Sequence, residues 1–403
     1  MKKVVQAVIF AGGLGTRLKP YTEDNPKAMF PVNGTPFIEK LILQLKAWGI
    51  EEIIILLGYL PDIIMNYLGN GEKYGLNIKY DITPVAYETS LRLDHAKPLL
   101  KDSFILMYCD NYCPINYQKL VADYYTNKAL IQLSVYDNLD NYTKNNIFVT
   151  EDGLVTKYDS SRLSANLNGV DIGYMIVNKK ILDLLSKDNS SLAKNIFDTL
   201  INKKQLFATM IAHRYYSIGS YDRISLTEDF FKPKKVVFLD RDGTLNVKAP
   251  KACYIENKEQ FVWLDGAKEA VKLLNDKQYI VVLVTNQPGI SRGNFTIKVL
   301  NDIHQKMQTD LKEIGARIDY IYYCPHNWQD GCNCRKPNPG LFYQAQRELA
   351  LDLTKCPMFG DDERDMQAAH TANLKVGIQI VDNYPLISAV KDYIRKEEEH
   401  DSI

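Results

Sequence analysis

The stretch VVFLDRDGTLN, residues 236–246, ends an apolar, β-branched run in two carboxylates two positions apart. Such a run reads as a buried strand, and a strand that stops in Asp240-Arg241-Asp242-Gly243 offers both carboxylates from one loop. That spacing suits a nucleophile working beside an acid/base. A capped turn would explain an isolated Asp-x-Asp equally well, but three further stretches weigh against it. VVLVTNQPGISRG (281–293) puts Thr285 and Asn286 at another strand end, with Arg292 close behind. CRKP (334–337) supplies Arg335 and Lys336. MFGDDERDMQAA (358–369) puts Asp361 at a third strand end and Asp365 four residues on, the spacing of one helical turn.

Outward from this stretch the chain is long enough for more than one domain, with 403 residues against about 100–200 per domain. Its 46% apolar and 24% charged residues are the balance of a soluble protein with a full core. Lys+Arg and Asp+Glu both number 49, so no net charge attracts polyanions in general, although local basic pockets for phosphates remain open. No basic patch interleaved with aromatics suggests nucleic acid, and no run of about 18 apolar residues suggests a membrane span. The opening MKKVVQAVIFAGG has too short an apolar run for a secretory signal and reads as a strand; the closing KDYIRKEEEHDSI reads as a fraying helix and a solvated tail. FFKPKK (230–235) breaks the pattern and marks a boundary near residue 232, with domains over 1–231 and 235–395. Upstream, VVQAVIF, EEIIILLG, SFILMYC and ALIQLSVY alternate with helical patterns such as FIEKLILQLKAWG, which predicts parallel βαβ units. Downstream the alternation restarts, including a helix with Ile297, Leu300, Ile303, Met307, Leu311 and Ile314 on its apolar face. Both halves therefore read as α/β, Rossmann-like domains.

AGGLGTRLKPYTEDNPKAMFPV (11–32) follows the first strand directly. Gly12, Gly13 and Gly15 let the backbone turn and approach a ligand, so that amide hydrogens can face phosphate oxygens. Arg17 and Lys27 add the fixed positive charge that a polyphosphate needs. A structural turn or a nicotinamide loop would share the glycines, but not the added arginine and Pro-Lys pair.

CPHNWQDGCNCRKP (324–337) gathers three of the seven cysteines beside a histidine. Cys324, His326, Cys332 and Cys334 follow C-x-H-x5-C-x-C, a soft set suited to tetrahedral Zn²⁺. Four protein ligands leave no position for water, so the site reads as structural and not as the seat of bond breaking. A disulfide would leave an odd cysteine and need an oxidising compartment; the scattered remaining cysteines fit a reducing cytoplasm.

The glycine loop with its GTRL-x-P and PK elements resembles the sugar-1-phosphate nucleotidyltransferases over about residues 4–230. The resemblance implies transfer from a nucleoside triphosphate to a sugar 1-phosphate with release of pyrophosphate, aided by Mg²⁺, Arg17 and Lys27. It makes Asp110 a metal ligand, places Glu88 near the base or sugar, and puts Asp171 and Gly173 at the sugar. Two departures stand out. Ser217 takes the place of a second metal-binding Asp, with Asp222 nearby, and YETSLRLDHA replaces the family's Leu-Gly-Thr-Ala segment. His95 within that segment reads as a surface or packing residue.

The second half resembles the haloacid dehalogenase-like phosphatases over about residues 235–385. That implies Asp240 as the nucleophile, Asp242 as acid/base, and Thr285 and Lys336 holding the phosphoryl group. Mg²⁺ would lie on Asp240, the Asp242 carbonyl and Asp361, with Asp365 in support. Asn286, Arg292 and Arg335 would face the substrate. DRDGTLN, TNQPGISRG and the cysteine loop are similar to those of the heptose 1,7-bisphosphate and histidinol-phosphate phosphatases in particular. A fusion of the two implies consecutive steps toward a nucleotide-activated heptose, with GTP as the triphosphate of the α-anomer pathway (a GDP-heptose). The alternatives are a histidinol-phosphate phosphatase with an impaired first domain, a first domain that only binds a sugar nucleotide, and, more distantly, a nicotinamide dehydrogenase.

Overall fold

The structure, a computed structural model, describes residues 3–401. Parts of the lysine-led start and of the closing tail lie outside the described residues. The chain divides after Lys232 into two compact units.

The first unit is built on seven strands. They are β1 (Gln6–Phe10), β2 (Glu52–Leu57), β3 (Asn77–Ile82), β4 (Ser103–Tyr108), β5 (Ile131–Tyr136), β6 (Val170–Asn178) and β7 (Leu206–Ile211). Their order is β7-β5-β6-β4-β1-β2-β3. β1 is parallel to β2 and β4 and is buried throughout. Ala7 and Ile9 enter one core while Val8 and Phe10 enter another on the opposite face. A strand covered on both faces reads as a continuous apolar run, which is why VVQAVIF shows no alternation. The expectation of parallel units fails at β6, which is antiparallel to both β4 and β5. Between β5 and β6 the chain forms a small antiparallel ribbon, Ile147–Val149 with Val155–Tyr158. Without a crossover element the returning strand enters in the opposite direction.

The second unit has a five-stranded parallel sheet of β8 (Val236–Leu239), β9 (Ile280–Asn286), β10 (Tyr320–Cys324), β11 (Pro357–Gly360) and β12 (Val376–Gln379). The order is β10-β9-β8-β11-β12, so the stretch that ends in Asp240 occupies the centre. The helix Ile297–Lys312 buries Leu300, Ile303, Met307 and Leu311; Ile297 is exposed at its first position and Ile314 lies past its end, so the apolar face is shorter than the sequence suggested. A second correction concerns Asp361 and Asp365. The helix Glu363–Thr371 starts at the cap Asp362, whose side chain and that of Asp365 form a reciprocal capping box. Asp361 stands outside the helix, directly after β11, and the four-residue spacing is not a helical turn.

Candidate functional site

In the second unit Lys336 reaches into the sheet centre. Its Nζ donates to Asp240 Oδ1 at 2.6 Å and to Val284 O at 2.8 Å, and pairs with Asp365 Oδ1 at 2.6 Å. All three charged side chains are buried. Burial alone would depress the Lys336 ammonium, but the two carboxylates outweigh it and hold it above its ordinary value. Burial pushes Asp240 the other way, above the usual carboxylate range, against the pull of Lys336 and with the charge of Asp365 adding to it. Asn286 Nδ2 donates to Lys336 O and its Oδ1 accepts from Lys336 N, both at 3.0 Å, so it holds the CRKP backbone in place, with a second N–H left over.

Asp242 is clamped. Arg241, fully buried, donates from Nη2 to Asp242 Oδ2 at 2.8 Å, and Asn246 Nδ2 donates to Oδ1 at 3.0 Å. Gln287 Nε2 donates to Asp242 Oδ2 at 2.8 Å and to Thr285 Oγ1 at 2.9 Å, linking the two residues read as acid/base and phosphoryl holder. Burial would raise Asp242, but Arg241 and these hydrogen bonds hold it below the usual carboxylate range. At rest it is therefore in its base form.

Carboxylate oxygens of Asp240, Asp361 and Asp365 lie within 4.8 Å of one another. Among the described residues Asp361 Oδ1 is buried without a partner, while Lys248 Nζ donates to Oδ2 at 2.6 Å. Hard oxygen donors with one lone pair left unanswered fit a divalent cation such as Mg²⁺. Gly243, at φ +96°, lies against this carboxylate, where a Cβ would collide with it. The Asp242 carboxylate points to Arg241 instead, so only its backbone carbonyl is left for a metal.

Cys324, at the end of β10, meets Cys334 and Cys332 at Sγ–Sγ distances of 3.2 Å and 3.6 Å, and His326 Nδ1 lies 3.2 Å from Cys334 Sγ. A disulfide needs about 2.05 Å, whereas four soft donors around one point suit zinc. Arg335 Nη1 approaches His326 O at 3.5 Å, and Arg292 donates from Nη2 to Asn327 Oδ1 at 3.1 Å and from Nη1 to Tyr254 OH at 2.6 Å. Both arginines thus brace the cysteine loop.

The first unit holds a cleft of about 420 Å³ lined by Gly12, Gly13, Gly15, Arg17, Lys27, Glu88 and Asp110. Lys27 Nζ donates to Asp110 Oδ2 at 2.5 Å. Gly12 has a reason other than ligand approach: a Cβ there would come within 2.5 Å of Arg92 Nη1. Asp171 and Gly173 are not on the cleft wall. Gly173 N–H donates to Asp171 Oδ1 at 2.9 Å, and Gly173 packs against the Tyr108 ring, which does line the cleft. Ser217 sits beside Asp110, opposite Asn111 in a short antiparallel ribbon, with Ile218 N–H donating to Asp110 O at 3.0 Å. Its Oγ accepts the Gly219 N–H at 2.9 Å, and the Asp222 side chain is 76% exposed. Among the described residues Asp110 therefore joins no group of three metal-ligating side chains. His95 pairs with Asp81 at the surface, at 2.9 Å.

Four important residues escaped the sequence reading: Arg92, Arg241, Lys248 and Gln287. Arg92 stands between two leucines on the short helix Thr89–His95, and a charge at an apolar position was its available signal. Gln287 directly follows the Thr285-Asn286 pair and offered none.

Residues 6–146 match the Nucleotidyl transferase family, and residues 235–371 match the Polynucleotide kinase 3 phosphatase family. The chain is 42% identical over 154 residues to the D-glycero-beta-D-manno-heptose-1,7-bisphosphate 7-phosphatase of Haemophilus ducreyi, covering 36% of this chain and 83% of that protein. To the protein of the same name from Helicobacter pylori it is 39% identical over 150 residues, covering 37% and 85%. A solved Bacillus anthracis structure bearing the name glucose-1-phosphate thymidylyltransferase covers 55% of this chain and 93% of its own, at 18% identity and TM-score 0.50. At that identity the likeness is one of fold.

Proposed function

We propose, from the premise that this chain belongs through its second unit to the heptose-1,7-bisphosphate 7-phosphatase family and carries a nucleotidyl transferase domain ahead of it, that it performs two consecutive steps in making a nucleotide-activated heptose. Residues 235–395 remove the 7-phosphate of a heptose 1,7-bisphosphate. Residues 1–231 then join the resulting heptose 1-phosphate to a nucleotide, with GTP as the triphosphate.

In the first step an Asp240 oxygen attacks phosphorus as the bond to the sugar O7 breaks, O7 leaves with the proton that the phosphate monoanion brings and that Asp242, a base at rest, takes up and relays, and an aspartyl-phosphate forms. Asp242, returned to its clamped base form, takes a proton from the water that cleaves this intermediate. Thr285 and Lys336 hold the phosphoryl oxygens. Mg²⁺ would be held by Asp240, Asp361 and the Asp242 carbonyl, with Asp365 in support, and would supply the charge that lets a carboxylate approach an anionic phosphate. Cys324, His326, Cys332 and Cys334 would hold a zinc that shapes the loop ending in Arg335 and Lys336; metal analysis is expected to find about one zinc per chain. In the second step the sugar-phosphate oxygen displaces pyrophosphate from the α-phosphorus, and Arg17 and Lys27 neutralise the charge that develops. Among the described residues that line this cleft, Asp110, already paired with Lys27, is the carboxylate at the phosphate end, and Asp222 nearby is exposed. That donor set does not fit a two-carboxylate metal site, so no step is drawn through a metal held by the first unit.

The observation that carries this reading is the buried Asp240–Lys336–Asp365 cluster beside the clamped Asp242. Phosphorus NMR of the protein with Mg²⁺, four ribonucleoside triphosphates and either anomer of D-glycero-D-manno-heptose 1,7-bisphosphate tests it. Loss of the 7-phosphate signal followed by pyrophosphate and a sugar diphosphate signal is expected. The engaged hydroxyl of Ser217 favours a second reading, in which the first unit binds nucleotide without transferring it. Phosphate release without pyrophosphate would select that reading, and no reaction at all would favour histidinol phosphate.

A further inference from the structure

Each carboxylate of the candidate metal site in the second unit has at least one oxygen already engaged. Lys336 Nζ donates to Asp240 Oδ1 and pairs with Asp365 Oδ1, both at 2.6 Å. The Asp362 N–H donates to the other Asp365 oxygen at 3.2 Å, so that side chain is engaged on both sides. Lys248 Nζ donates to Asp361 Oδ2 at 2.6 Å and stands 3.6 Å from Asp362 Oδ2. The Asp362 carboxylate belongs chiefly to Arg364, which donates to it from Nε and Nη2 at 2.8 and 2.7 Å. What is left for a cation is a set of single oxygens: Asp240 Oδ2, the backbone carbonyl of Asp242, and Asp361 Oδ1, which is buried without a partner among the described residues.

The number of oxygens separates the two common hard divalent cations. Mg²⁺ is small, demands a near-octahedral shell at about 2.0–2.1 Å, and takes one or two carboxylates with several waters. Ca²⁺ takes about six to eight oxygens at about 2.3–2.6 Å, and carboxylates that bind through both oxygens help to fill that larger shell. A lysine on the outer oxygen forbids two-oxygen binding while keeping the carboxylate as a ligand. Lys336 does so for Asp240 from a fully buried position in which it also holds the phosphoryl group. Lys248 does so for Asp361, and its side chain is 48% exposed.

We infer that Lys248 sets the metal preference of the phosphatase site by keeping Asp361 a one-oxygen ligand, which favours Mg²⁺ over Ca²⁺. Lys248 is a positioning residue that acts through Asp361. The inference rests on reading Asp240, Asp361 and the Asp242 carbonyl as the Mg²⁺ site, and it adds the residue that discriminates between ions. The ammonium also repels any divalent cation, but that repulsion acts on both ions alike and cancels in their ratio.

Calorimetric titration of the full-length protein with Mg²⁺ and, separately, with Ca²⁺ tests it, with Asp361→Asn as the reference that lacks the site. Lys248→Met keeps an apolar stem and gives Asp361 back its second oxygen. Both ions are expected to bind this variant more tightly, because a positive charge is gone. The ratio of the Kd for Ca²⁺ to the Kd for Mg²⁺ is expected to fall by about tenfold or more, the mark of an added ligand oxygen for the larger ion. A change in fold or in charge would move both ions together and leave the ratio where it was. A fall of less than about threefold, or a shift toward Mg²⁺, would overturn the role of Lys248 and leave the metal site standing. Binding that survives Asp361→Asn unchanged, or no binding of either ion, would overturn the metal site and the inference with it. Phosphate release from heptose 1,7-bisphosphate in Mg²⁺ is measured in parallel. The expected fall in ratio, in a parent that releases no phosphate, would overturn the phosphatase step on that substrate and leave Lys248 standing.

Discussion

Lys336 in the second unit and Lys27 in the first hold corresponding places in different surroundings. Each ammonium meets an aspartate just beyond a central strand, Asp240 after β8 and Asp110 after β4. Lys336 is 2% exposed, with Asp240 at 10% and Asp365 at 3%, whereas Lys27 and Asp110 keep 12% and 23% of their side chains in contact with water. Charges taken wholly out of water are stable only as a set, because removing one strands the others. The phosphatase site is thus an assembled electrostatic unit. The cleft of the first unit leaves its charges partly hydrated.

The contrast breaks most visibly at Asp240. Asp240→Asn keeps the shape and removes the nucleophile, so phosphate release is expected to fall by about ten-thousand-fold or more while pyrophosphate release from supplied heptose 1-phosphate continues; a phosphatase rate near that of the parent would refute the nucleophile. Lys336→Met leaves Asp240 and Asp365 buried without a counter-charge. Urea unfolding of the second unit is expected to show a loss of about 3–5 kcal/mol, and a loss under about 1 kcal/mol would mean that water reaches the pair. Lys27→Met sharpens the comparison. Pyrophosphate release is expected to drop by about 10²–10³-fold, with a stability change of at most about 1 kcal/mol, since Asp110 keeps its water. A large stability loss there would erase the distinction between the two sites.

The smallest effect belongs to Asp171, a carboxyl that burial raises to about 6. Because its folded value stands above its unfolded value of about 4, its contribution to stability is fully present below about pH 4 and is lost as pH rises through 6. Asp171→Asn keeps an acceptor for the Gly173 N–H and is expected to raise stability at pH 7 by about 1–2 kcal/mol. The gain should vanish below about pH 4, and a gain independent of pH would point to packing instead.

Strand ends were legible in the sequence because the middle strands of the second sheet bury continuous apolar runs that stop abruptly at Asp240, Thr285 and Asp361. The metal-binding spacing of Cys324, His326, Cys332 and Cys334 was legible for a similar reason, since all four fall within one loop. What a side chain does at a strand end was less legible, because its partner is distant in the chain. Asp240 and Lys336 are 96 positions apart, and Asn286 turns to a backbone 50 positions away. The direction of β6 was hidden as well: its apolar run looks the same whichever way it is threaded, and only the missing crossover fixes it.

Arg92 has a consequence for how this wall can change. Its guanidinium fastens Gly12 O, Leu57 O and Thr83 Oγ1 together with the carbonyls of Pro84, Val85 and Tyr87. The floor of the glycine loop, the end of β2 and residues 83–87 are therefore one inherited piece. A transplanted 83–88 segment would arrive without the anchor that shapes it, whereas Glu88, exposed at its rim, can be exchanged with the anchor left intact. Exposed positions on this wall can change one at a time while the frame beneath stays fixed.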